Sequence, residues 1–277
     1  MASSFGARLH ESFSSKGHLC VGIDPHVSLL EQWGLPVNSE GLREFSMRVV
    51  DASHSRIGVL KPQVSFFERF GSKGFEVLGE VTQYAAEAGL IVIADAKRGD
   101  IGTTMDAYFE AWFGEDSGLY ADALTVSPYL GLGAVTNGFT RFEEQGKGLF
   151  SLVATSNPEG QSVQLSKVNS ISLAADQLRQ LEALNAKSET FGSYGAVLGA
   201  TLDFETFGID LASSKTPILA PGFGAQGARL ADARGIFGEK ADQVVYSVSR
   251  SVLSAGPTGI VSQIESAANE LALALEK

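Results

Sequence analysis

The chain has 277 residues, a formal net charge of −11, 44% apolar residues and 19% charged ones. That length suits two average domains or one large α/β barrel, with ample material for a core. The acidic balance argues against a nucleic-acid or anionic-membrane surface, and no stretch is apolar enough to span a bilayer, but a phosphorylated small molecule needs only a few local cations and backbone amides.

Read in chain order, the N-terminal Met1-Ala2-Ser3-Ser4-Phe5 has no apolar h-region, which argues against a secretory signal. Short apolar or β-branched runs follow at 19–23, 57–60, 91–94, 122–126, 149–154, 195–198, 217–220 and 243–248. Strands buried on both faces read this way. Longer helical patterns fill the gaps. Leu173, Leu178, Leu181 and Leu184 recur at roughly helical spacing in 171–186, and Ile260, Ile264, Ala268, Leu271 and Leu275 form one stripe in 260–275. Strand–helix units in this number predict a single-domain α/β fold over residues 1–277, a (β/α)8 TIM barrel with an N-terminal helical extension. A doubly wound sheet is the alternative; strand count and even spacing favour the barrel.

The single cysteine, Cys20, sits in an apolar run and is expected to be a small buried hydrophobe. A lone cysteine fits a reducing, cytoplasmic setting. The four histidines, His10, His18, His26 and His54, lie early in the chain without zinc spacing. A metal site would therefore need carboxylates; none is expected, and no cofactor fingerprint is visible. His26, beside Asp24-Pro25, reads as a loop residue. Met105, Tyr108, Phe109 and Trp112 form a helical stripe that reads as core or subunit interface.

In a barrel, function gathers just past the C-terminal strand ends. There the sequence carries Asp24-Pro25, Lys61-Pro62, Asp95 and Lys97, Ser127-Pro128, Thr155-Ser156-Asn157-Pro158, Pro221-Gly222-Phe223-Gly224 and Ser249-Arg250. Asp95 and Lys97 are two apart on a segment expected to be extended, so both should point into the mouth. Lys61 joins from the neighbouring strand and Asp100 from the following loop. Such a cluster is tolerated out of water only when its members are paired, and it titrates as a group. An isolated D-x-K-x-x-D is as well explained by a solvated surface network; the position at a strand end, beside Lys61 and Asp24, favours a site.

The second constellation is the small-residue turn 220–227 with Ser249-Arg250. Loops after strands seven and eight commonly bind phosphate in this fold, small residues admit backbone N–H groups to an anion, and Arg250 offers a bidentate fork. The bland reading is an ordinary αβ turn and a surface arginine. Ser156 could hydrogen-bond a polar ring or merely cap a turn. It does not read as a nucleophile, since no histidine follows residue 54 to complete an acyl-transfer triad.

The run Asp-Ala-Lys-Arg-Gly-Asp-Ile-Gly-Thr-Thr at 95–104, with Leu60-Lys61-Pro62-Gln63 and Ala220-Pro221-Gly222, resembles the orotidine 5'-phosphate decarboxylases, specifically the longer bacterial subgroup, type 2. The similarity runs from Asp24 to Arg250. It implies decarboxylation of orotidine 5'-phosphate to uridine 5'-phosphate, in de novo pyrimidine biosynthesis, without a cofactor. Lys97 would protonate C6 as carbon dioxide leaves, and Asp95 would lie against the substrate carboxylate. Lys61 and Asp100 would complete a charged tetrad, with Asp100, Ile101 and Thr104 supplied by the other subunit of a homodimer. Asp24 and Lys61 would hold ribose hydroxyls, Ser156 the pyrimidine, and Gln226 and Arg250 the phosphate, beside Pro221, Gly222 and Ser249. The segment after Gly222 would close as a lid. Arg98-Gly99 and Gly102-Thr103 depart from the shorter members, and 157–193 is long and polar for a barrel loop plus helix.

These residue types suit that reaction. Loss of carbon dioxide from an sp² ring carbon leaves a localised anion with no adjacent electron sink, so preorganised charge must stabilise it. A lysine ammonium is both compact cation and proton source. The nearest rival is a metal-dependent sugar-phosphate lyase or decarboxylase with a similar D-x-K-x-x-D barrel; such relatives carry a carboxylate where Lys61 stands. A rival of another class is a non-catalytic nucleotide-binding barrel, which would need phosphate and ribose contacts but no buried lysine cluster.

Overall fold

The computed structural model describes residues 3–211 and 214–276. Met1 and Ala2 of the N-terminal segment lie outside the described residues. Eight parallel strands close into a barrel: Leu19–Ile23, Val59–Pro62, Ile91–Arg98, Ala123–Val126, Gly148–Ala154, Tyr194–Leu198, Ile218–Ala220 and Val244–Val248. Each pairs with its neighbour in sequence, and the eighth pairs with the first through Leu19↔Tyr246, Cys20↔Ser247 and Val21↔Val248. The (β/α)8 barrel predicted from the sequence is the fold observed, with seven of the eight expected strands within two residues of their place and the third running four residues further, to Arg98.

Alternation explains where the polar residues go. On every strand, successive side chains face opposite sides. One set, including Leu60, Val92, Ala94, Leu124, Leu149 and Tyr246, packs outward under the helices. The other set, including Cys20, Val59, Ile91, Ile93, Ala123, Phe150, Val197, Leu219 and Val245, fills the interior. Continued by two residues toward the C-terminal ends, the inward set becomes Lys61 after Val59, Asp95 after Ile93, Thr125 after Ala123 and Ser247 after Val245. Thus the same periodicity that builds the core delivers polar groups to one mouth.

The opposite end is stoppered. Helix Phe5–Lys16, N-capped by Ser4, sends Phe5, Leu9 and Phe13 into the interior cluster, one helical face at i, i+4 and i+8. Phe5 meets Phe150 edge to face, ring centroids 5.9 Å apart. Burying each of these side chains contributes roughly 1.5–3 kcal/mol. Gly6 allows the close approach, because a Cβ there would lie 1.9 Å from the Phe191 carbonyl oxygen. Beside the stopper, Asp122 accepts from Arg8 Nη1 at 2.7 Å, Tyr120 Oη at 2.9 Å and the Val92 amide at 2.9 Å.

Some local expectations change. The long stretch 157–193 holds helix Pro158–Gln164, a hairpin pairing Lys167–Val168 with Ile171–Ser172, and helix Leu173–Asn185. Asn169 and Ser170 turn the hairpin with φ of 49° and 75°, as a two-residue primed turn requires. Leu178 and Leu181 are buried, but Leu184 is 45% exposed. In helix Gly256–Leu275 the buried face is Ile260, Ile264, Ala267, Leu271 and Ala274, one position off the predicted stripe at Ala268 and Leu275. Arg250 opens the short helix Arg250–Leu253, which precedes the last one. Met105, Phe109 and Trp112 are core. Among the described residues no helix is long and apolar enough to cross a membrane.

Candidate active site

The barrel mouth holds a cleft of about 280 Å³. Ten of the residues singled out from sequence line it: Asp24, Lys61, Asp95, Lys97, Ser156, Pro221, Gly222, Gln226, Ser249 and Arg250. The other three do not. Asp100 is half-buried and its Oδ1 accepts the Ile101 amide at 2.8 Å, Ile101 is 60% exposed, and Thr104 is exposed. The charged cluster of a single chain is therefore Lys61–Asp95–Lys97 with Asp24 nearby.

Asp95 is the hub. Its Oδ2 accepts from Lys61 Nζ at 2.8 Å, and its Oδ1 from Lys97 Nζ at 2.6 Å and Thr125 Oγ1 at 2.9 Å. Burial alone would raise the Asp95 pKa, but the two ammonium groups overcome it and hold the carboxyl well below the usual carboxylate range. Burial would likewise depress Lys61; Asp95 and then Asp24 outweigh it, so its pKa lies above the ordinary lysine value. Both groups stay ionised across the neutral range. The Lys97 side chain is 44% exposed against 7% for Lys61, so Lys97 presents its ammonium to the cleft.

The route by which Lys97 reaches Asp95 differs from the simple alternation expected. Between Ala94↔Leu124 and Arg98↔Val126 the third strand carries extra residues against the fourth. Lys97 sits in the left-handed region at φ 50°, unusual for a lysine and costing of order 1–2 kcal/mol. Its amide donates to Thr125 Oγ1 at 3.0 Å, and its ammonium lies 3.5 Å from Gln63 Oε1. The bulge therefore re-aims the side chain.

Across the cleft, Gly222, at φ 120°, bends the chain after the seventh strand as only glycine does without strain. Gln226 and Arg250 stand exposed at the rim, and Ser156 Oγ lies 3.4 Å from Gln226 Oε1. At the first strand's end Ser249 Oγ donates to Asp24 Oδ2 at 2.6 Å, while Asp24 Oδ1 is buried with no hydrogen-bond partner among the described residues. A buried carboxylate oxygen placed there can accept from a hydroxyl of a bound ligand. Gln63, the last residue of the Leu60–Gln63 motif, also lines the cleft, as do Thr125 and Ser247, which no motif includes; for these two, a polar residue two positions beyond an inward apolar one near a strand's end is the available signal. Among the described residues no group of three or more His, Cys, Asp or Glu side chains could hold a metal ion. Chemically, the site combines a cation facing the cleft, carboxylates beside it, and a glycine turn with an arginine suited to an anion on the same cleft.

A family model described as "Orotidine 5'-phosphate decarboxylase / HUMPS family" matches residues 17–262. A Streptomyces coelicolor protein named orotidine 5'-phosphate decarboxylase is 49% identical over 271 residues, covering 97% of this chain and 96% of the relative. A Salinispora tropica protein of the same name is 48% identical over 255 residues, covering 92% and 91%. Of solved structures, one from Streptomyces avermitilis superposes with a TM-score of 0.95 at 48% identity, covering 100% of this chain and 97% of that one. The OMP decarboxylase of Leishmania donovani superposes at 0.80 with 26% identity, covering 99% and 100%.

Proposed function

The chain belongs to the orotidine 5'-phosphate decarboxylase / HUMPS family, and on that premise we propose that it converts orotidine 5'-phosphate to uridine 5'-phosphate and carbon dioxide, closing de novo pyrimidine biosynthesis. The observation that carries this reading is Asp95 held between Lys61 and Lys97 on the floor of a cleft whose far rim is the Gly222–Gln226 turn and Arg250. The metal-dependent branch resembling this barrel carries a carboxylate where Lys61 stands, so the lysine favours the cofactor-free reaction.

The residues divide the work. Gly222, Gln226 and Arg250 hold the phosphate, with Pro221 and Ser249 shaping its pocket. Asp24 accepts from ribose hydroxyls, and Ser156 meets the pyrimidine. The C6–carboxylate bond breaks, its electron pair stays on C6, and the Lys97 ammonium delivers a proton there. Asp95 accepts from the Lys97 ammonium and aims it, while Lys61 fixes the other oxygen of that carboxylate; preorganised charge of this kind is worth most where water is excluded. Binding energy from the distant phosphate orders the mouth. A cytoplasmic setting accords with a charged nucleotide substrate and a buried lone thiol.

The working unit in this reading is a homodimer with shared sites. Asp100, Ile101 and Thr104 turn away from their own cleft, and Ile101 is an exposed apolar residue. They then complete the partner's site. Complementation tests this: Lys97→Ala and Asp100→Ala, each inactive, should recover about a quarter of wild-type activity when refolded together, because random pairing restores one intact site in half the dimers. No recovery would rule out shared sites. For the reaction itself, ultraviolet absorbance of orotidine 5'-phosphate is followed with wild type and Lys97→Ala. No turnover by wild type sinks the reading, and loss of turnover in EDTA would return the metal-dependent rival.

A further inference from the structure

We propose that Thr125 is a positioning residue for the reaction, pinning both the Asp95 carboxylate and the backbone of Lys97 through one hydroxyl. The inference rests on the decarboxylase reading and deepens it. Thr125 belongs to the fourth strand and is fully buried. Its neighbours Leu124 and Val126 pair with Ala94 and Arg98, so the irregular stretch of the third strand lies directly opposite Thr125. Breaking a ladder strands an amide, and a buried amide needs an acceptor. Thr125 Oγ1 is that acceptor for Lys97, at 3.0 Å. The same oxygen spends its one proton on Asp95 Oδ1, at 2.9 Å. A threonine hydroxyl has one donor and two lone pairs, so both contacts fit at once.

The consequence is geometric. Lys61 holds Oδ2 of Asp95, and Thr125 shares Oδ1 with Lys97, so the carboxylate cannot swivel without losing a partner. The Lys97 backbone is meanwhile held in a left-handed conformation that lysine does not favour. Remove the hydroxyl and two constraints on Lys97 vanish together: the amide anchor and the fixed carboxylate it leans on. Gln63 remains as a weaker brace, with Nε2 3.3 Å from the Asp95 carbonyl oxygen and Oε1 3.5 Å from Lys97 Nζ. Substrate contacts at Asp24, Gly222, Gln226 and Arg250 come from other strands, so binding should survive while the chemical step suffers.

Thr125→Val keeps the shape and deletes the hydroxyl; Thr125→Ser keeps the hydroxyl and deletes a methyl. Misplacing a reacting group by about 1 Å costs on the order of 100-fold, so kcat should fall about 100-fold in Thr125→Val with KM within roughly threefold of wild type. Thr125→Ser should stay within about fivefold on both, since the two hydrogen bonds persist. A purely structural role would follow stability and not the hydroxyl. Hence Thr125→Ser falling as far as Thr125→Val, or Thr125→Val keeping kcat within about fivefold, overturns the proposal. Should Thr125→Val not fold, Thr125→Cys, with its weak donor, takes its place under the same criteria. Inactive wild type would sink the functional reading instead, which keeps the two failures apart.

Discussion

Asp95 and Asp122 are buried carboxylates at opposite ends of one barrel, 8% and 2% exposed. Each accepts hydrogen bonds from cationic side chains or a hydroxyl, yet the two assemblies serve different ends. Asp122 is saturated: Arg8, Tyr120 and the Val92 amide take up its oxygens, and Arg8 also donates to the Gly146 carbonyl at 2.7 Å. Lys147, packed 4.4 Å from the Tyr120 ring, closes the group. The N-terminal helix, which carries Arg8, lies across it. At the mouth, Asp95 is equally well paired, but one of its cations is 44% exposed and Asp24 beside it keeps an unpartnered oxygen. Identical pair physics thus makes a lock where all valences are spent inside the protein and a reaction site where some are left over.

If that contrast is sound, the two ends respond differently to truncation. Lys97→Ala should lower kcat by about 10⁴-fold or more, combining the lost acid with the lost charge, while the urea midpoint barely moves. A large midpoint shift would show the mouth to be structural after all. Arg250→Ala should come next, raising KM roughly 100-fold with a smaller effect on kcat, as loss of charge-assisted phosphate contacts predicts. Asp122→Ala should do the reverse of both. Unfolding free energy should drop by about 2 kcal/mol, the cost of an orphaned buried amide and a released arginine, and activity per folded molecule should stay within about twofold. Loss of kcat in Asp122→Ala at full folding would break the contrast from the other side.

Acid separates the ends more gently. The folded-state pKa of Asp95 lies below its unfolded value of about 3.9, so its stabilisation is complete above that value and is lost as pH falls toward the folded one. Lys61 is raised, so its share is complete below about pH 10.4 and is lost only as pH climbs through the folded value. The stability gap between wild type and Asp95→Asn should therefore be flat from about pH 5 to 9. Below about pH 4 it should narrow by no more than about 1.4 kcal/mol per pH unit. A gap that widens in acid would contradict the depressed pKa.

How much of this was legible before the fold was known follows the same divide. The strands announced themselves, because β-branched and apolar runs bounded by Asp-Pro, Lys-Pro or Pro-Gly leave few alternatives. Asp95, Lys61 and Arg250 followed from being polar at strand ends. Lys97 was found for an incomplete reason: alternation alone does not aim it, and the bulge that does depends on the fourth strand, far off in sequence. Thr125 was invisible for that cause, being an ordinary strand residue until the third strand buckles against it. Asp122 was read as the start of an apolar run, since its partner Arg8 is 114 residues away. The Phe5, Leu9 and Phe13 stripe was periodic enough to read, but periodicity does not say which end of a barrel a helix will close.

The smallest expected signal comes from Cys20, which lies inside the barrel between the two ends. It is fully buried, and burial pushes its thiol up to about 12. Against an ordinary thiol value of 9.0, that shift alone lowers the thiolate fraction at pH 8 by roughly 1,000-fold, and the packing around it excludes reagent. Wild type should remain unalkylated over hours, reacting only through opening of the barrel. Where opening is in equilibrium with the native state, the rate reports the stability of whatever must open. Asp122→Ala should then speed labelling by about 30-fold, its 2 kcal/mol expressed as a rate, whereas Lys97→Ala should leave it unchanged. Equal acceleration by both variants would mean that the mouth and the stopper open as one unit, and the division between lock and reaction site would hold for chemistry but not for stability.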